Sequence, residues 1–327
     1  MEMESDTFDR LDLRLLSALE LNGRASFSRI GAVLGVSDQT VARRYRRLCA
    51  EGGLRVVAVR DAQVLGHDQW TLRLRCVPDG AAAIADALAK RPDTSWIGLA
   101  SGGTEVVCGT RPRSPGDRDD LLLGKLPRTP RVLEIRAHQM LHRFHGGPTG
   151  WLRKLGVLTD DETAALRPTA GDPATGPARI APEDEPLLAA LERDGRATYP
   201  ELQRATGRSE PAVKRRLAAL LASGAVHIDV EYDSALLGFP VVAALWITAG
   251  PADLHRVGET LAGHPEIAHA AATAGPSNLV ATAVTRGTAD LYAYLSGPLG
   301  HLEGVRHVEA SPFLRRVKQL IYPRPAS

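Results

Sequence analysis

The chain has 327 residues, of which 44% are hydrophobic and 24% charged, a composition typical of a folded protein with two or more domains. Its formal net charge of +2 provides no strong overall field, so binding to nucleic acid would depend on where the positive charges lie. The three widely spaced cysteines, without a CxxC pair, do not support a disulfide framework. The sequence shows neither a signal peptide nor a membrane span, so we expect a cytoplasmic protein.

Residues 1–62 have the pattern of three short helices. A helix with apolar positions from Phe8 to Leu19 ends at Asn22-Gly23, and Ser26 can cap a second helix. A tight turn at Gly35-Val36-Ser37 precedes a third helix over residues 38–51. Two helices separated by a short glycine-containing turn indicate a helix-turn-helix domain.

The third helix carries an unusual number of cations. We expect its outward side to contact DNA, because arginine pairs with guanine and glutamine with adenine in the major groove. Other arginines would neutralise phosphates, and the alternative is a solvated charged surface with no ligand. The predicted DNA-contacting residues are Ser37, Gln39, Thr40, Arg43, Arg44, Arg46 and Arg47.

A different periodicity begins after residue 66. Residues 67–147 predict the order βαββαβ, a ferredoxin-like domain with helices on one face of an antiparallel sheet. The other face needs cover, which predicts dimerisation or pairing with a second copy inside the chain. The predicted strands are residues 71–77, 95–100, 106–110 and 132–137, and the predicted helices are residues 81–90 and 119–124.

The whole arrangement then recurs. Residues 19–25 are repeated as 191–197, an offset of 172 residues that also relates Arg43-Arg44 to Arg215-Arg216. The sequence therefore predicts an α+β fold with two tandem copies of a winged or three-helix helix-turn-helix domain plus a ferredoxin-like βαββαβ domain. The second copies span residues 183–234 and 239–320. Residues 148–182 have the composition of a linker, with one short helix capped by Thr159.

The second helix-turn-helix domain has fewer cations on its third helix. Its predicted DNA-contacting residues are Ser209, Lys214, Arg215 and Arg216. Ala218 and Ala219 replace two arginines, and Pro211 is tolerated in the first turn of the helix. Whether this helix binds DNA as tightly as the first is left open.

The chain resembles the Lrp/AsnC family of feast/famine transcriptional regulators over nearly its whole length, twice. The residues that carry the resemblance are Phe8-Asp9-Arg10-Leu11-Asp12, Asn22-Gly23-Arg24-Ala25, the arginine-rich run 43–48 and the closing segment 305–318. The resemblance implies control of transcription on double-stranded DNA, a small-molecule effector that is often an amino acid, and assembly as a homodimer or higher homo-oligomer.

In that family the effector binds between the ligand-responsive domains, near a Gly-x-x-Asp turn. The matching turns here are Gly102-Gly103-Thr104-Glu105 and Gly275-Pro276-Ser277-Asn278. Backbone N–H groups of such a turn can bind a carboxylate, and Glu105 can meet an ammonium group. A glycine-containing hairpin is also a common structural feature without a ligand, and the replacement of Asp puts an amino-acid effector in doubt.

Three histidines, His138, His142 and His145, raise the question of a metal. They are predicted to lie beyond a strand, on polar surface, and their repeat positions hold Ser311, Arg315 and Lys318, so we expect no metal and no cofactor. Siroheme decarboxylases also resemble this family, which leaves a tetrapyrrole enzyme as the rival class and a sensor that does not bind DNA as a third. Without a paired acid–base constellation, we expect no enzyme.

Overall fold

The computed structural model describes residues 8–168 and 178–321, so residues 1–7 of the predicted first domain and 169–177 of the predicted linker lie outside the described residues. The helices are α1 (Arg10–Leu21), α2 (Phe27–Leu34), α3 (Asp38–Glu51), α4 (Ala81–Ala89), α5 (Pro115–Asp119), α6 (Asp160–Leu166), α7 (Glu185–Arg193), α8 (Tyr199–Thr206), α9 (Glu210–Ala222), α10 (Leu254–Gly263) and α11 (Thr288–Ser296). The strands are β1 (Arg55–Arg60), β2 (Trp70–Cys76), β3 (Thr94–Ala100), β4 (Glu105–Thr110), β5 (Val132–His145), β6 (Val226–Glu231), β7 (Val241–Ala249), β8 (Ile267–Ala274), β9 (Leu279–Thr285) and β10 (Val305–Lys318).

These elements form two compact units. The helical unit contains α1–α3, β1, α6–α9 and β6, so both helix-turn-helix domains belong to it. The sheet unit contains the remaining elements, which are two βαββαβ copies, β2 to β5 and β7 to β10. The predicted α+β fold class is confirmed. Among the described residues, no helix has the length and apolar character needed to cross a membrane.

Local signals define the first three helices. The side chain of Asp9 accepts hydrogen bonds from the N–H groups at the start of α1, and Ser26 and Ser37 cap α2 and α3 in the same way. Gly35 ends α2 with a φ of 72°, a conformation that glycine adopts without steric cost. Leu15, Leu16 and Leu19 of α1 are buried in the domain core with apolar residues of the other two helices. The three predicted helices and their caps are confirmed.

The two helix-turn-helix domains are joined by a strand from each. β1 and β6 pair antiparallel, from Arg55 opposite Glu231 to Arg60 opposite Val226. The predicted helix at Thr159 is also present as α6, and it is held against the first domain by Arg14, which ion-pairs with Glu162 at 2.5 Å. The helical unit is therefore a pair of domains built by one chain.

The sheet unit contains one closed sheet with the strand order β10-β3-β4-β2-β5-β8-β9-β7, in which β10 also pairs with β7. The first half of β5 pairs with β2 of its own copy, and the second half pairs with β8 of the other copy. β10 pairs in the same manner, first with β7 and then with β3. The two copies therefore complete each other's sheets, and the expected pairing inside one chain is observed.

This exchange corrects a predicted strand. Residues 132–137 were predicted as the last strand of the first copy, but β5 continues to His145, and its counterpart β10 likewise continues to Lys318. Their second halves lack a regular alternation of apolar and polar residues, because what stabilises them is hydrogen bonding to a strand of the other copy.

Apolar residues fill both sides of the closed sheet. α4 covers a core that includes Leu72, Leu74 and Val106, while α10 and α11 cover the corresponding core of the second copy. The opposite face carries a third cluster in which Trp246 and Val107, from different copies, are both buried. The sheet face opposite the helices, which was predicted to need a partner, is thus covered by the other copy.

Candidate functional site

The exposed side of α3 presents fewer residues than the sequence predicted. Gln39, Arg43 and Arg46 are exposed, and we call these three residues the α3 reading face. Ser37 is exposed, but its Oγ accepts the Thr40 N–H at 3.1 Å and lies 3.0 Å from the Thr40 hydroxyl. These two residues begin the helix, and three long polar side chains remain directed toward solvent.

Arg44 and Arg47 do not point outward, and the predicted orientation of these two side chains was wrong. Both contact Asp12, a fully buried carboxylate of α1. Arg44 Nη1 lies 3.1 Å from Asp12 Oδ2 and 2.5 Å from Asp9 Oδ2, and Arg47 also stacks over the Phe8 ring. The hydrogen bond that Arg44 donates to the Asp9 carboxylate raises the pKa of its guanidinium. A buried carboxylate must be paired, and these arginines hold α3 against α1.

The repeat reproduces this anchor. Arg216 of α9 corresponds to Arg44 and contacts Asp184, which corresponds to Asp12, at 2.8 Å from Nε and 2.5 Å from Nη2. Asp184 is also buried. A signal for the anchoring role was present in the sequence, because an aspartate recurs at the same offset as the arginine in both copies.

α9 exposes a different set of side chains. Arg215 is exposed, whereas the Lys214 ammonium lies 2.6 Å from Glu210 and over the ring of Tyr199. Ser209 is the N-cap residue of α9 but makes no side-chain capping bond. Among the residues predicted for the second domain, Arg215 is the one that matches its counterpart Arg43 both in residue type and in exposure.

Two arginines at equivalent positions of the repeat, Arg24 and Arg196, join the two domains. Arg24 donates to the carbonyl oxygens of Gly195 and Ala197 at 2.5 and 3.0 Å. Arg196 donates to the equivalent oxygens of the first domain at 2.5 and 2.9 Å, and its guanidinium stacks over the Phe27 ring. We call this reciprocal contact the arginine clasp. The repeated Gly-Arg-Ala sequence was the signal that could have revealed it.

The first predicted effector turn is stabilised by contacts within its own copy of the repeat. Ser101, Gly102 and Gly103 form a single 3-10 turn, in which the Thr104 hydroxyl donates to the Ser101 carbonyl at 2.8 Å. Glu105 begins β4, is 5% exposed and lies 2.8 Å from Arg73 Nε. An effector ammonium at Glu105 would have to compete with that ion pair.

The second turn lies where the two copies meet. Asn278 connects this turn to the end of β7. Its Oδ1 accepts from the Ala249 N–H at 2.8 Å, and its Nδ2 donates to the Ala249 carbonyl at 2.9 Å. The Ser277 carbonyl lies 3.3 Å from His138 Nδ1, and Gly275 and Pro276 precede it in the hairpin. This turn therefore contacts the first copy through β5.

The histidines lie within β5 and not beyond a strand, so that prediction was wrong. His138 and His145 are buried, and only His142 is exposed. Burial lowers the pKa of His138, whose ring packs on Trp246 with centroids 5.1 Å apart. In the described ranges no three His, Cys, Asp or Glu side chains are grouped so that they could hold a metal ion.

Two helix-turn-helix domains with exposed arginines, linked to a doubled βαββαβ sheet, define a class of nucleic-acid-binding protein. The model of the AsnC-type helix-turn-helix domain matches residues 8–48 and 184–221, and that of the Lrp/AsnC ligand binding domain matches residues 242–321. These are the two domain types of Lrp/AsnC regulators, and together the matches cover just under half of the chain.

Individual relatives match one copy of the repeat. An uncharacterized HTH-type transcriptional regulator of Pyrococcus abyssi is 28% identical over 142 residues, 43% of this chain and 89% of the relative. The HTH-type transcriptional regulator LrpA of Pyrococcus horikoshii is 26% identical over 136 residues, 41% of this chain and 96% of the relative.

A solved structure is similar over both copies. The siroheme decarboxylase NirDL matches 95% of this chain and 94% of its own with a TM-score of 0.63, at 12% sequence identity. The likeness shows a shared fold for the doubled chain.

Proposed function

We propose that the chain is a sequence-specific DNA-binding transcriptional regulator, located in the cytoplasm with its DNA. The observation that carries this proposal is the α3 reading face. Arg44 and Arg47 fix α3 against the domain core, which leaves Gln39, Arg43 and Arg46 free to enter a major groove. The named relatives are HTH-type transcriptional regulators, which supports the same role.

Selection of bound duplexes from a random pool, followed by fluorescence anisotropy, tests this role. Arg43→Ala and Arg46→Ala should each weaken binding to the selected duplex by ~1–3 kcal/mol if they reach bases. Arg75→Ala is the matched control, since Arg75 is an exposed arginine of the sheet unit. Wild-type affinity in both α3 variants would remove this helix as the reader, and failure to bind any duplex in dilute salt would leave a sensor that does not bind DNA.

A small-molecule effector is the proposed input. The turn from Gly275 to Asn278 supports a site at the junction of the two copies, because Ser277 faces His138 of the other copy. A ligand there would contact both copies and bias their relative arrangement. Thermal melting with a panel of amino acids would test it, and a shift that persists in Ser277→Pro would place the ligand elsewhere.

Assembly into a homodimer or higher homo-oligomer stays a prediction. The sheet of the sheet unit is closed, so association between chains through that unit has to use surfaces other than strand edges. Light scattering of the purified chain measures the assembly directly, and a mass of 35.0 kDa would show that one chain acts alone.

A tetrapyrrole enzyme is the second candidate, favoured by the full-length fold similarity to NirDL. That protein has been solved with an iron-uroporphyrin III analogue. Titration with iron uroporphyrin III, followed by visible absorbance, distinguishes the two candidates. A saturable spectral change at micromolar concentrations would favour the enzyme, and an unchanged spectrum would favour the regulator.

A further inference from the structure

We propose that this chain recognises an asymmetric, non-palindromic DNA site, in which α3 reads the bases of one half-site and α9 binds the other half-site mainly through its phosphates. The inference rests on the proposed DNA-binding function. It concerns the kind of DNA site that α3 and α9 select together.

The two helices share one supporting contact. Arg44 with Asp12 and Arg216 with Asp184 hold α3 and α9 in the same way, whereas Ala219 stands at the repeat position of Arg47. The buried side of α9 is also complete, since Val213 and its apolar neighbours are inaccessible to solvent. α9 has therefore kept the fold of a reading helix, and the difference between the copies lies on its exposed side.

On that exposed side the hydrogen-bonding groups differ position by position. At the offset of 172 residues, Gln39 becomes Pro211 and Arg46 becomes Ala218. Proline and alanine offer no side-chain hydrogen bond to a base edge, while glutamine and arginine form the bidentate pairs that distinguish adenine and guanine. α3 thus keeps two base-reading side chains that α9 lacks.

What α9 retains is positive charge. Arg215 occupies the position of Arg43 and is exposed, and Lys214 adds a second cation beside Glu210. Single cations without a glutamine or a second free arginine position a helix on the phosphate backbone but discriminate poorly between sequences. The second domain is suited to holding DNA and poorly suited to reading it.

The two helices cannot act independently, because one unit contains both. The β1–β6 ladder and the arginine clasp join their domains. A homodimer of single-copy chains presents the same helix twice and so matches a palindrome, whereas this chain always presents one α3 and one α9. The DNA segment bound by one chain should lack two-fold symmetry in the same way, even where two chains assemble.

The test begins with duplexes selected by the full chain from a random pool. Each half of the selected site is then scrambled separately, and the affinity is measured by fluorescence anisotropy at several salt concentrations. Scrambling one half should weaken binding about 100-fold or more, and scrambling the other about 5-fold or less, since each mismatched pair that is read costs roughly a factor of 5–150.

Arg43→Ala and Arg215→Ala form a matched pair of exposed variants at the same position of the repeat. Arg43→Ala should abolish most of the discrimination at the sensitive half. Arg215→Ala should weaken binding to all duplexes alike and lower the slope of log affinity against log salt by about 0.9. Equal melting temperatures of the two variants and the wild type would show that both remain folded.

Two-fold symmetry within the segment bound by one chain, or equal losses on scrambling either half of that segment, would overturn the inference while leaving the proposed function intact. Loss of discrimination in Arg215→Ala equal to that in Arg43→Ala would also overturn it. Absence of binding to every duplex would instead refute the proposed function, and the asymmetric site with it.

Discussion

Replacing Glu20 with glutamine tests an acid buried between parts of the helical unit. Glu20 lies on α1, where Oε1 is 2.8 Å from the Tyr232 hydroxyl and Oε2 accepts the Leu152 N–H at 3.0 Å. Burial, together with a smaller contribution from the nearby charge of Asp229, raises the pKa of this carboxyl to about 8. The carboxyl is therefore mostly protonated in the folded protein at neutral pH.

The raised pKa makes stability depend on pH with a definite sign. Between the ordinary value of 4.5 and about 8, the folded state keeps a proton that the unfolded state has lost. The contribution of Glu20 to the free energy of unfolding is present in full below pH 4.5 and is lost as the pH rises toward 8. A shift of this size corresponds to ~5 kcal/mol for a fully shielded group. Because Glu20 keeps some contact with solvent, we expect about 2 kcal/mol.

Glutamine resembles the neutral acid and keeps both contacts, with its oxygen facing Leu152 and its amide facing Tyr232. Glu20→Gln should match the wild type near pH 5 and exceed it in free energy of unfolding by ~2 kcal/mol near pH 9. Urea unfolding of the full chain, followed by circular dichroism across pH 5 to 9, measures the difference.

The repeat supplies the control. Glu192 occupies the same position in the second domain but lies 2.9 Å from Arg60 Nε, so its charge is paired. Glu192→Gln should lower stability by ~1 kcal/mol over this whole pH range, without flattening the pH dependence. If Glu20→Gln showed a constant difference from the wild type across the series, Glu20 would be ionised in the fold and the reasoning would be wrong.

Three further predictions follow from contacts elsewhere in the chain. Arg196→Ala removes two hydrogen bonds of the arginine clasp and should lower the free energy of unfolding by ~2 kcal/mol, as urea denaturation would show; an unchanged midpoint would deny the clasp a stabilising role. Gly258→Ala would place a Cβ atom 2.2 Å from the Phe144 ring and should lower the melting temperature, and Phe144→Leu should restore part of it; a neutral Gly258→Ala would contradict this packing. In the native protein Cys49 should react with a thiol reagent well before the two buried cysteines, because burial raises the pKa of Cys108 to about 12. Equal reaction rates for all three thiols before denaturation would refute this.

Local signals accounted for much of the fold. Ser26, Ser37 and Thr159 identified the starts of their helices, because a cap satisfies backbone groups a few residues away and needs no distant partner. The repeat in the sequence also identified two copies of each domain. The βαββαβ order followed from periodicities of 2 and 3.6 residues within short segments.

The candidate site was predictable only in part. The sequence identified α3 as the cationic helix and included Gln39, Arg43 and Arg46. The prediction did not separate them from Arg44 and Arg47, since all four arginines share one helix and only the repeated aspartate, Asp12 and Asp184, distinguishes Arg44. The separation depends on Asp12, which is brought beside α3 by the packing of α1.

The sequence by itself determined the elements, their order and the duplication, because these depend on residues close together in the chain. The tertiary structure decided which copies pair, since β5 and β10 find their second partners in the other repeat. It also decided which arginines support the fold and which face solvent. Both outcomes depend on contacts between residues far apart in sequence, where burial makes an unpaired charge or backbone group costly.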